Sequence, residues 1–397
     1  TNLPQGWEVK KLEEIANIKG GKRLPKGKNL LDNNTKFAYI RVADFQDNGT
    51  INLQNIKFIN ENTYNVLKNY KIYDDNLYIS IAGTIGKSGI IPKELNGAIL
   101  TENAVKLEYI QNNISNKFMY FFTLSNIFKT QIQTSTKIVA QPKLAITRLK
   151  QIQIPLPPLK EQERIVGILD ESFAKIDESI KILEQDLLNL DELMQSALQK
   201  AFNPLKDNAK ENYKLPQSWE WKSLEEISEN ISAGGDKPKN CTESKTAKNQ
   251  IPVYANGVNN NGLVGYTDKA TIIKPSLTIS ARGTIGFVCI RKEPYFPIVR
   301  LISLIPCENI LCLHYLYFCL NFFIAKGEGS SIPQLTIPKF KSLQIPLPPL
   351  KEQEQIAEHL DFVFEKAKAL KELYTKELKD YEELKQSLLN KAFKGEL

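Results

Sequence analysis

The side chains best suited to chemistry are cations and amides that crowd short loops. Arg, Asn and Gln can make paired hydrogen bonds to base edges, whereas Lys and Ser suit phosphates. We therefore predict a nucleic-acid interface in two parts, the alternative being that many of these are ordinary polar loop residues. The predicted contacts are Lys22, Arg23, Lys26, Lys28, Arg41, Gln46, Lys137 and Gln141, and then Lys237, Lys239, Tyr254, Asn256, Arg282, Ser331 and Gln334.

No pattern typical of an active site accompanies these residues. Residues 21–28 are similar to a phosphate-binding loop, but five residues separate the glycines where that motif has four, and Asn29 replaces the required Ser or Thr. The two histidines, His314 and His359, have no nucleophile or metal-ligand pattern around them. The Asn/Asp-Pro-Pro-aromatic loop of amino methyltransferases is absent from the sequence. We predict that this chain holds no catalytic residue and no metal.

A duplicated segment marks the start of the two elements that we expect to position these loops. Residues 154–163 and 345–354 both read IPLPPLKEQE, and the offset of 191 continues without a gap to Phe202 and Phe393. Proline fixes φ and lacks an N–H, and it also restricts the residue before it, so each segment should begin extended. A long stretch free of proline follows in each copy, which predicts a helix.

A heptad pattern predicts that these helices pair. From Ile165 to Ala197 the apolar residues recur mostly at alternating steps of four and three. About 43 residues at 1.5 Å each give a rod of roughly 64 Å, too long for the core helix of a compact domain. We call this apolar row the seam of the helix. The seam of the second long helix is weaker, because Lys371 and Lys385 interrupt it. We predict pairing within the chain; the alternative is a coiled coil that binds a partner or dimerises.

The blocks before the helices form a looser repeat. Both open on an LPxxWE segment, at residues 3–8 and 215–220, and both contain GTIG, at residues 83–86 and 283–286. Each block reads as mixed α and β, with tight turns at GTIG and a linker at 203–213. The predicted helices are 10–18, 115–125, 223–230 and 310–325; the predicted strands are 37–42, 51–58, 77–82, 251–254, 263–267, 277–281, 287–290 and 300–305.

Charge and cysteine content limit the function classes. The net charge of +7 combines two basic blocks, +9 over residues 1–150 and +5 over 203–345, with acidic helical segments. Basic blocks suit a polyanion. The five cysteines include no CxxC pair, which favours free thiols in a reducing compartment. We find no run of 18 apolar residues and no secretion signal, so we expect a cytoplasmic protein without a membrane span.

Together these motifs resemble the specificity subunit of type I restriction–modification systems. The resemblance spans the whole chain and rests on the paired LPxxWE, GTIG and IPLPPLKEQE segments. It implies an α+β fold with an internal pseudo-twofold repeat. Two target-recognition domains, 1–150 and 203–344 (the latter with its linker), would be separated by two long helices, 151–202 and 345–397. Those helices would run antiparallel as an intramolecular coiled coil.

The resemblance also implies a function. A non-catalytic specificity subunit would recognise an asymmetric, bipartite site on double-stranded DNA, one half per domain. Its helices would bind two methyltransferase subunits and the restriction subunits, and we assign partner contacts to Leu159, Ile165, Leu350 and Ile356. S-adenosylmethionine, ATP and Mg²⁺ would bind those partners and not this chain.

Three alternatives remain open from the sequence. The first is the specificity subunit of a related system in which one other polypeptide combines methylase and nuclease. The second is a self-sufficient enzyme acting on nucleic acid. The third is a coiled-coil adaptor without sequence-specific DNA binding.

Overall fold

The protein is described here by a computed structural model that covers residues 3–135, 143–206, 215–324, 327–328 and 335–397. The chain forms two compact units. The first comprises Thr1–Leu183 and Lys376–Leu397, and the second comprises Glu184–Thr375. Each unit therefore contains part of each long helix, and the predicted domain boundaries at 150, 202 and 344 stay a prediction.

The first unit combines short strands with mostly short helices. Its strands are β1 (Glu8–Lys11), β2 (Ala16–Gly20), β3 (Ala38–Ile40), β4 (Lys57–Phe58), β5 (Lys71–Ile72), β6 (Leu77–Ser80), β7 (Ser88–Ile90), β8 (Ala98–Leu100), β9 (Ala104–Tyr109) and β10 (Gln153–Leu156). Its helices are α1 (Leu12–Ile15), α2 (Glu61–Val66), α3 (Asn116–Leu124), α4 (Asn126–Ser135), α5 (Ile146–Lys150) and the start of α6 (Leu159–Lys206). Short 3-10 turns occupy Val42–Asp44, Leu53–Asn55, Lys68–Tyr70 and Lys93–Leu95.

The strands of the first unit form two four-stranded sheets. One has the order β2-β9-β6-β7 and is antiparallel throughout. The other has the order β4-β3-β8-β5, in which β3 and β8 run parallel. Helix α3 buries Phe118 and Phe122 in the main core, to which β6 and β9 contribute Leu77 and Leu107.

The second unit repeats this plan. Its strands are β11 (Glu220–Ser223), β12 (Ser228–Ala233), β13 (Ile251–Tyr254), β14 (Leu263–Thr267), β15 (Ser276–Ile279), β16 (Thr284–Ile285), β17 (Val288–Arg291), β18 (Phe296–Pro297), β19 (Ile302–Pro306), β20 (Gly327–Glu328) and β21 (Gln344–Leu347). Its helices are α7 (Leu224–Ile227), α8 (Leu313–Phe323), α9 (Ile337–Lys341) and α10 (Leu350–Ala392), with a 3-10 turn at Asn259–Gly262. The main sheet has the order β12-β19-β15-β17, and a smaller sheet has the order β14-β13-β18 with β13 and β18 parallel.

The two duplicated sequence motifs are neighbours in space. Strand β1, which begins on the last residue of the first LPxxWE segment, pairs antiparallel with the proline-rich β10, so that Val9 lies opposite Pro155. In the second unit β11 pairs with β21 in the same register, with Trp221 opposite Pro346. Each pair is a separate two-stranded ribbon, where a proline without an N–H is tolerated. This confirms that the proline runs are extended.

The two long helices pair antiparallel. In the first unit the beginning of α6, with Ile165 and Leu169, packs against Leu389 and Phe393 at the end of the chain. In the second unit the end of α6, with Phe202, packs against Leu360 near the beginning of α10. The two lysines that interrupt the second seam form ion pairs across it, Lys385 with Asp177 at 2.6 Å and Lys371 with Asp191. The predicted intramolecular coiled coil is confirmed.

Several elements differ from the prediction. The region 10–18 holds a single helical turn, α1, because strands β1 and β2 claim its flanks through pairing with β10 and β9. The predicted strand 51–58 is interrupted by a 3-10 turn, which Asn52 caps by accepting a hydrogen bond from the Gln54 N–H. Helix α6 continues to Lys206, into the predicted linker. None of the helices in the described ranges combines the length and apolar content that a bilayer crossing requires.

A buried glutamine attaches each long helix to its unit. Gln162 is 1% exposed; its amide oxygen accepts from the Ser115 N–H at 2.8 Å, and its amide nitrogen donates to the Asn113 and Pro157 carbonyls at 3.0 and 2.9 Å. Gln353, 191 residues later, is fully buried and repeats the arrangement. It accepts from the Cys312 N–H at 2.9 Å and donates to the Ile310 and Pro348 carbonyls at 2.9 and 2.8 Å.

We predict that Gln162→Ala and Gln353→Ala each destabilise the protein. Each substitution leaves buried backbone groups without a partner, and we expect a loss of about 2–4 kcal/mol in the free energy of unfolding. Urea unfolding followed by circular dichroism and tryptophan fluorescence measures this loss. Gln195→Ala, at an exposed position of α6, is the matched control and should change stability by less than about 0.5 kcal/mol. We call the buried Gln162 and Gln353 side chains the glutamine clamps. Equal losses for Gln162→Ala and Gln195→Ala would show that the Gln162 clamp does not stabilise the protein.

Candidate nucleic-acid interface

In the first unit, hydrogen bonds join the loops that follow β2, β3 and β6 to the turn between β8 and β9. The Gly21 N–H donates to the Ala104 carbonyl at 2.9 Å, and the Thr101 N–H donates to the Ile40 carbonyl at 3.0 Å. The Ile81 N–H donates to the Asn103 carbonyl at 2.8 Å. We call the loops 21–28, 41–46, 81–86 and 101–103 the first recognition edge.

The second unit has an equivalent edge, formed by the loops 234–239, 255–262, 280–286 and 298–301. The Gly234 N–H donates to the Leu301 carbonyl at 2.8 Å, and the Ile298 N–H donates to the Tyr254 carbonyl at 2.8 Å. These bonds correspond to those of Gly21 and Thr101. The two edges therefore share a backbone frame, whereas the side chains on them differ.

The GTIG segments are tight turns on both edges, as predicted. The Gly86 N–H donates to the Ser80 carbonyl at 2.9 Å, and the Gly286 N–H donates to the Ser280 carbonyl at 3.0 Å. Each segment begins and ends on a glycine with positive φ, from 71° to 89°, which other residues rarely adopt. Each turn therefore holds the backbone of the loop that follows β6 or β15 in one conformation.

The predicted cations of the first loop lie on the surface. Lys22, Lys26 and Lys28 are exposed. Arg23 is also exposed but is engaged, because its Nε donates to Glu102 Oε1 at 2.6 Å across the first recognition edge. The hydrogen bond with Glu102 raises the pKa of Arg23, so the guanidinium stays charged while its field is partly neutralised.

Arg41 is engaged more completely. Its Nε donates to Asp44 Oδ2 at 3.1 Å, and its Nη2 donates to the Asn55 carbonyl at 3.0 Å. Asp44 is 1% exposed, and its hydrogen bond with Arg41 raises the pKa of that guanidinium. Gln46 is half-buried, and its backbone N–H donates to the Thr50 carbonyl at 2.9 Å. Arg41 therefore stabilises the shape of its own loop.

On the second recognition edge, Lys237 and Lys239 are exposed, whereas Tyr254 and Asn256 have internal contacts. The Arg291 guanidinium lies 3.5 Å from the centre of the Tyr254 ring. The Asn256 amide donates to the Val299 carbonyl at 2.6 Å and accepts from the Ala281 N–H at 2.8 Å. Asn256 thus ties three loops together.

Arg282 lines a cavity of about 390 Å³ on the second recognition edge. Arg300 lines it as well, and its other walls include Gly234, Ala281 and Thr336. Neither guanidinium makes a hydrogen bond or an ion pair within the part of the chain that the structure describes. The second recognition edge thus differs from the first, where Arg23 and Arg41 both face carboxylates.

Four predicted contacts, Lys137, Gln141, Ser331 and Gln334, lie outside the described residues. Nucleic-acid contact by all fifteen residues stays a prediction. Of the predicted partner contacts, Leu159, Leu350 and Ile356 are half-buried and stay predictions as well. Ile165 is 1% exposed and packs in the core of the first unit, because it belongs to the seam between the long helices, so it offers no surface there.

The sequence pattern did not point to Arg291 or Arg300. Arg291 is 8% exposed; its Nε donates to Thr278 Oγ1 at 3.0 Å and its Nη2 to the Asn261 carbonyl at 2.5 Å. Arg300 was placed inside a predicted strand, but β19 begins at Ile302 and Arg300 lies in the preceding turn. Arg291 is the last residue of β17, one residue beyond the predicted strand 287–290.

The described residues include no group of three or more His, Cys, Asp or Glu side chains arranged to hold a metal ion. The five cysteines are free thiols, as predicted. His314 lies on α8, where its Nδ1 is 2.6 Å from Asp361 Oδ2. The first and second recognition edges therefore present hydrogen-bond donors and positive charge, on loops whose backbone is fixed by hydrogen bonds.

We predict that Gly234→Ala destabilises the second unit and that Gly235→Ala does not. A Cβ on Gly234 would lie 2.6 Å from the Ile298 nitrogen and the Pro297 carbonyl carbon, whereas a Cβ on Gly235 meets nothing within 4 Å. We expect Gly234→Ala to lower the melting temperature by about 2–10 °C, and Gly235→Ala to change it by no more than about 2 °C. Differential scanning calorimetry measures both. Indistinguishable melting temperatures would mean that the backbone packing at Gly234 is not tight.

Comparison with known proteins identifies the repeat. Residues 4–187 and 216–379 each match the family described as the type I restriction modification DNA specificity domain. A putative type I specificity subunit of Mycoplasma pneumoniae is 29% identical over 357 residues, covering 88% of this chain and 87% of its own length. The putative type I restriction enzyme MjaX specificity subunit of Methanocaldococcus jannaschii is 24% identical, over 100% of this chain and 94% of its own.

Solved structures share the fold. A chain from a study of complex assembly and conformational transition in the type I R-M system superposes with a TM-score of 0.81 at 20% identity, covering 100% of both chains. The HsdS subunit from Thermoanaerobacter tengcongensis superposes with a TM-score of 0.63 at 20% identity, covering 100% of this chain and 99% of its own. With two matched domains over most of its length, this chain belongs to the family of type I restriction–modification specificity subunits.

Proposed function

We propose that this chain determines the DNA sequence specificity of a type I restriction–modification complex. It recognises an asymmetric, bipartite site on double-stranded DNA, with one half-site read by each recognition edge. The observation that carries this proposal is the pair of edges, built on the same backbone hydrogen bonds but bearing different side chains. One frame can approach each half-site in the same way, whereas different side chains require different bases.

The charge distribution supports DNA as the ligand of the recognition edges. Lys22, Lys26 and Lys28 lie together on the first edge, and Lys237 and Lys239 lie on the second, all exposed. Exposed lysines suit phosphates and give an affinity that falls as salt rises. The tight GTIG turns on the same edges suit contacts to base edges, since paired hydrogen bonds to a base require a fixed backbone geometry.

The long helices are the proposed attachment for two methyltransferase subunits and for restriction subunits. Both helices carry large apolar side chains on their exposed surfaces, among them Leu188, Leu193, Phe362 and Leu373. Apolar residues outside the seam are available for a further protein surface. S-adenosylmethionine, ATP and Mg²⁺ belong, in this proposal, to those partners, and the chain itself is non-catalytic and acts in the cytoplasm.

The test is the methylome of a host carrying this chain with the methyltransferase encoded beside it. Single-molecule sequencing should detect methylated adenine in one split, asymmetric motif. Omitting either component should abolish that methylation, because the catalytic subunit then lacks its sequence reader. Methylation that persists without this chain would refute the specificity role, and a continuous motif would refute the division into half-sites.

A second prediction concerns the spacer between the half-sites. Inserting seven residues into both long helices, after Leu183 and after Thr375, keeps the seam in phase and adds about 10.5 Å of helix. We expect the motif to keep its bases and to gain about three base pairs of spacer, at about 3.4 Å per pair. Sequencing the methylome of the insertion variant measures this.

Insertion of four residues at the same two places is the control, because it shifts the heptad phase and should disrupt helix pairing. Altered bases in either half-site of the seven-residue variant would show that the helices do more than set the spacing.

A further inference from the structure

A strained turn lies at the centre of the second recognition edge. Val299 and Arg300 both have positive φ, 54° and 60°, and the Leu301 N–H closes the turn on the Ile298 carbonyl at 3.1 Å. This region disfavours side chains other than Asn, Asp or Gly, and a β-branched residue such as Val most of all. Such a conformation costs about 1–3 kcal/mol per residue and persists only where surrounding contacts enforce it.

The second unit enforces the turn from both sides. The Val299 and Arg300 N–H groups donate to the Gly235 and Gly234 carbonyls, each at 2.8 Å. The Asn256 side chain holds the Val299 carbonyl at 2.6 Å from across the edge. The turn is therefore a fixed platform, and its Val299 side chain is left 50% exposed.

Among the described residues, the Arg300 side chain has no hydrogen-bond or ion-pair partner. It is exposed, and Arg300 lines the cavity of about 390 Å³ together with Arg282, so two arginines border one space. The corresponding turn of the first unit, Thr101 to Ala104, carries Glu102, which receives the Arg23 guanidinium at 2.6 Å. On the first turn, the charge of Glu102 is offset by Arg23. On the second turn, the hydrogen-bond donors of Arg300 are exposed.

We propose that Arg300 is a specificity-determining residue that reads a guanine in one half-site, by paired hydrogen bonds to its O6 and N7 in the major groove. This inference rests on the proposed function above. The planar guanidinium matches the two guanine acceptors, and that pairing is the commonest specific contact of arginine with DNA. A contact to phosphate needs no fixed backbone, whereas paired contacts to a base edge do.

The strain of the turn has a use in this reading. A turn that is already in its binding conformation loses little conformational freedom when DNA docks. Gly234 allows the close backbone approach that holds Arg300, since a Cβ there would collide with Ile298 and Pro297. Arg282 adds a second positive charge beside the same cavity. Two neighbouring positive charges favour a ligand that is rich in hydrogen-bond acceptors.

The experiment uses the complex of this chain with its methyltransferase and a duplex carrying the motif found in the methylome. Each guanine in the half-site assigned to the second unit is replaced in turn by 7-deazaguanine, which lacks the N7 acceptor, or by hypoxanthine, which keeps O6 and N7. For one guanine, 7-deazaguanine should weaken wild-type binding about 5- to 100-fold. Hypoxanthine at that position should leave affinity nearly unchanged.

The variant Arg300→Asn should abolish that 7-deazaguanine penalty and relax the motif at this one position. Asn is chosen because it tolerates the left-handed region, so the turn can persist. Arg300→Lys should also lose the discrimination, since a point charge cannot pair with both acceptors. Lys292→Asn removes an exposed cation from the same unit, and it should keep the full penalty even where overall affinity falls.

Two results would overturn the inference: a second half-site without guanine on either strand, or a 7-deazaguanine penalty that Arg300→Asn leaves intact. Both are distinct from failure of the proposed function, which would appear earlier as the absence of a split motif with the wild-type chain.

Discussion

The buried amides of Gln162 and Gln353 are the contacts on which the rest of the structure depends. Each joins the first turn of a long helix to the N-terminus of the packed helix of its unit, and each also holds the proline-rich strand that precedes the long helix. One side chain thus connects a long helix both to the packed helix and to the proline-rich strand of its unit. The need to satisfy all of these buried groups explains why a glutamine occupies the same place in both copies of IPLPPLKEQE.

The same constraint leaves the recognition loops free to differ. The ribbon β1–β10, its counterpart β11–β21 and the glutamine clamps lie at the ends of each block, so the sequence between them can vary without disturbing the attachment. The shared backbone bonds of Gly21 and Gly234 then aim each set of loops in the same way. Arg41 with Asp44, and Asn256 with Val299, are local solutions to holding different loops on one frame.

Periodicity and chain chemistry made the scaffold predictable. The heptad seam, the extended proline runs and the strands β13 and β14 follow from spacing and composition alone. The helix expected over 10–18 failed because pairing with β9 and β10 outweighed local helix propensity, which sequence cannot weigh without the partner strands. The turn at Val299 and Arg300 was hidden for a related reason: neither residue favours positive φ, and contacts from Gly234, Gly235 and Asn256 impose it.

The lysines in the second seam show how the helix pair selects its register. Moving 14 residues forward along α6, from Asp177 to Asp191, corresponds to moving 14 residues back along α10, from Lys385 to Lys371. Both ion pairs therefore belong to one antiparallel alignment. An all-apolar seam would also accept alignments shifted by a heptad, whereas a shift here would place both lysines against different residues. Polar residues in a seam reduce stability and specify register. The two ion pairs thus exchange some seam stability for one defined alignment of α6 and α10.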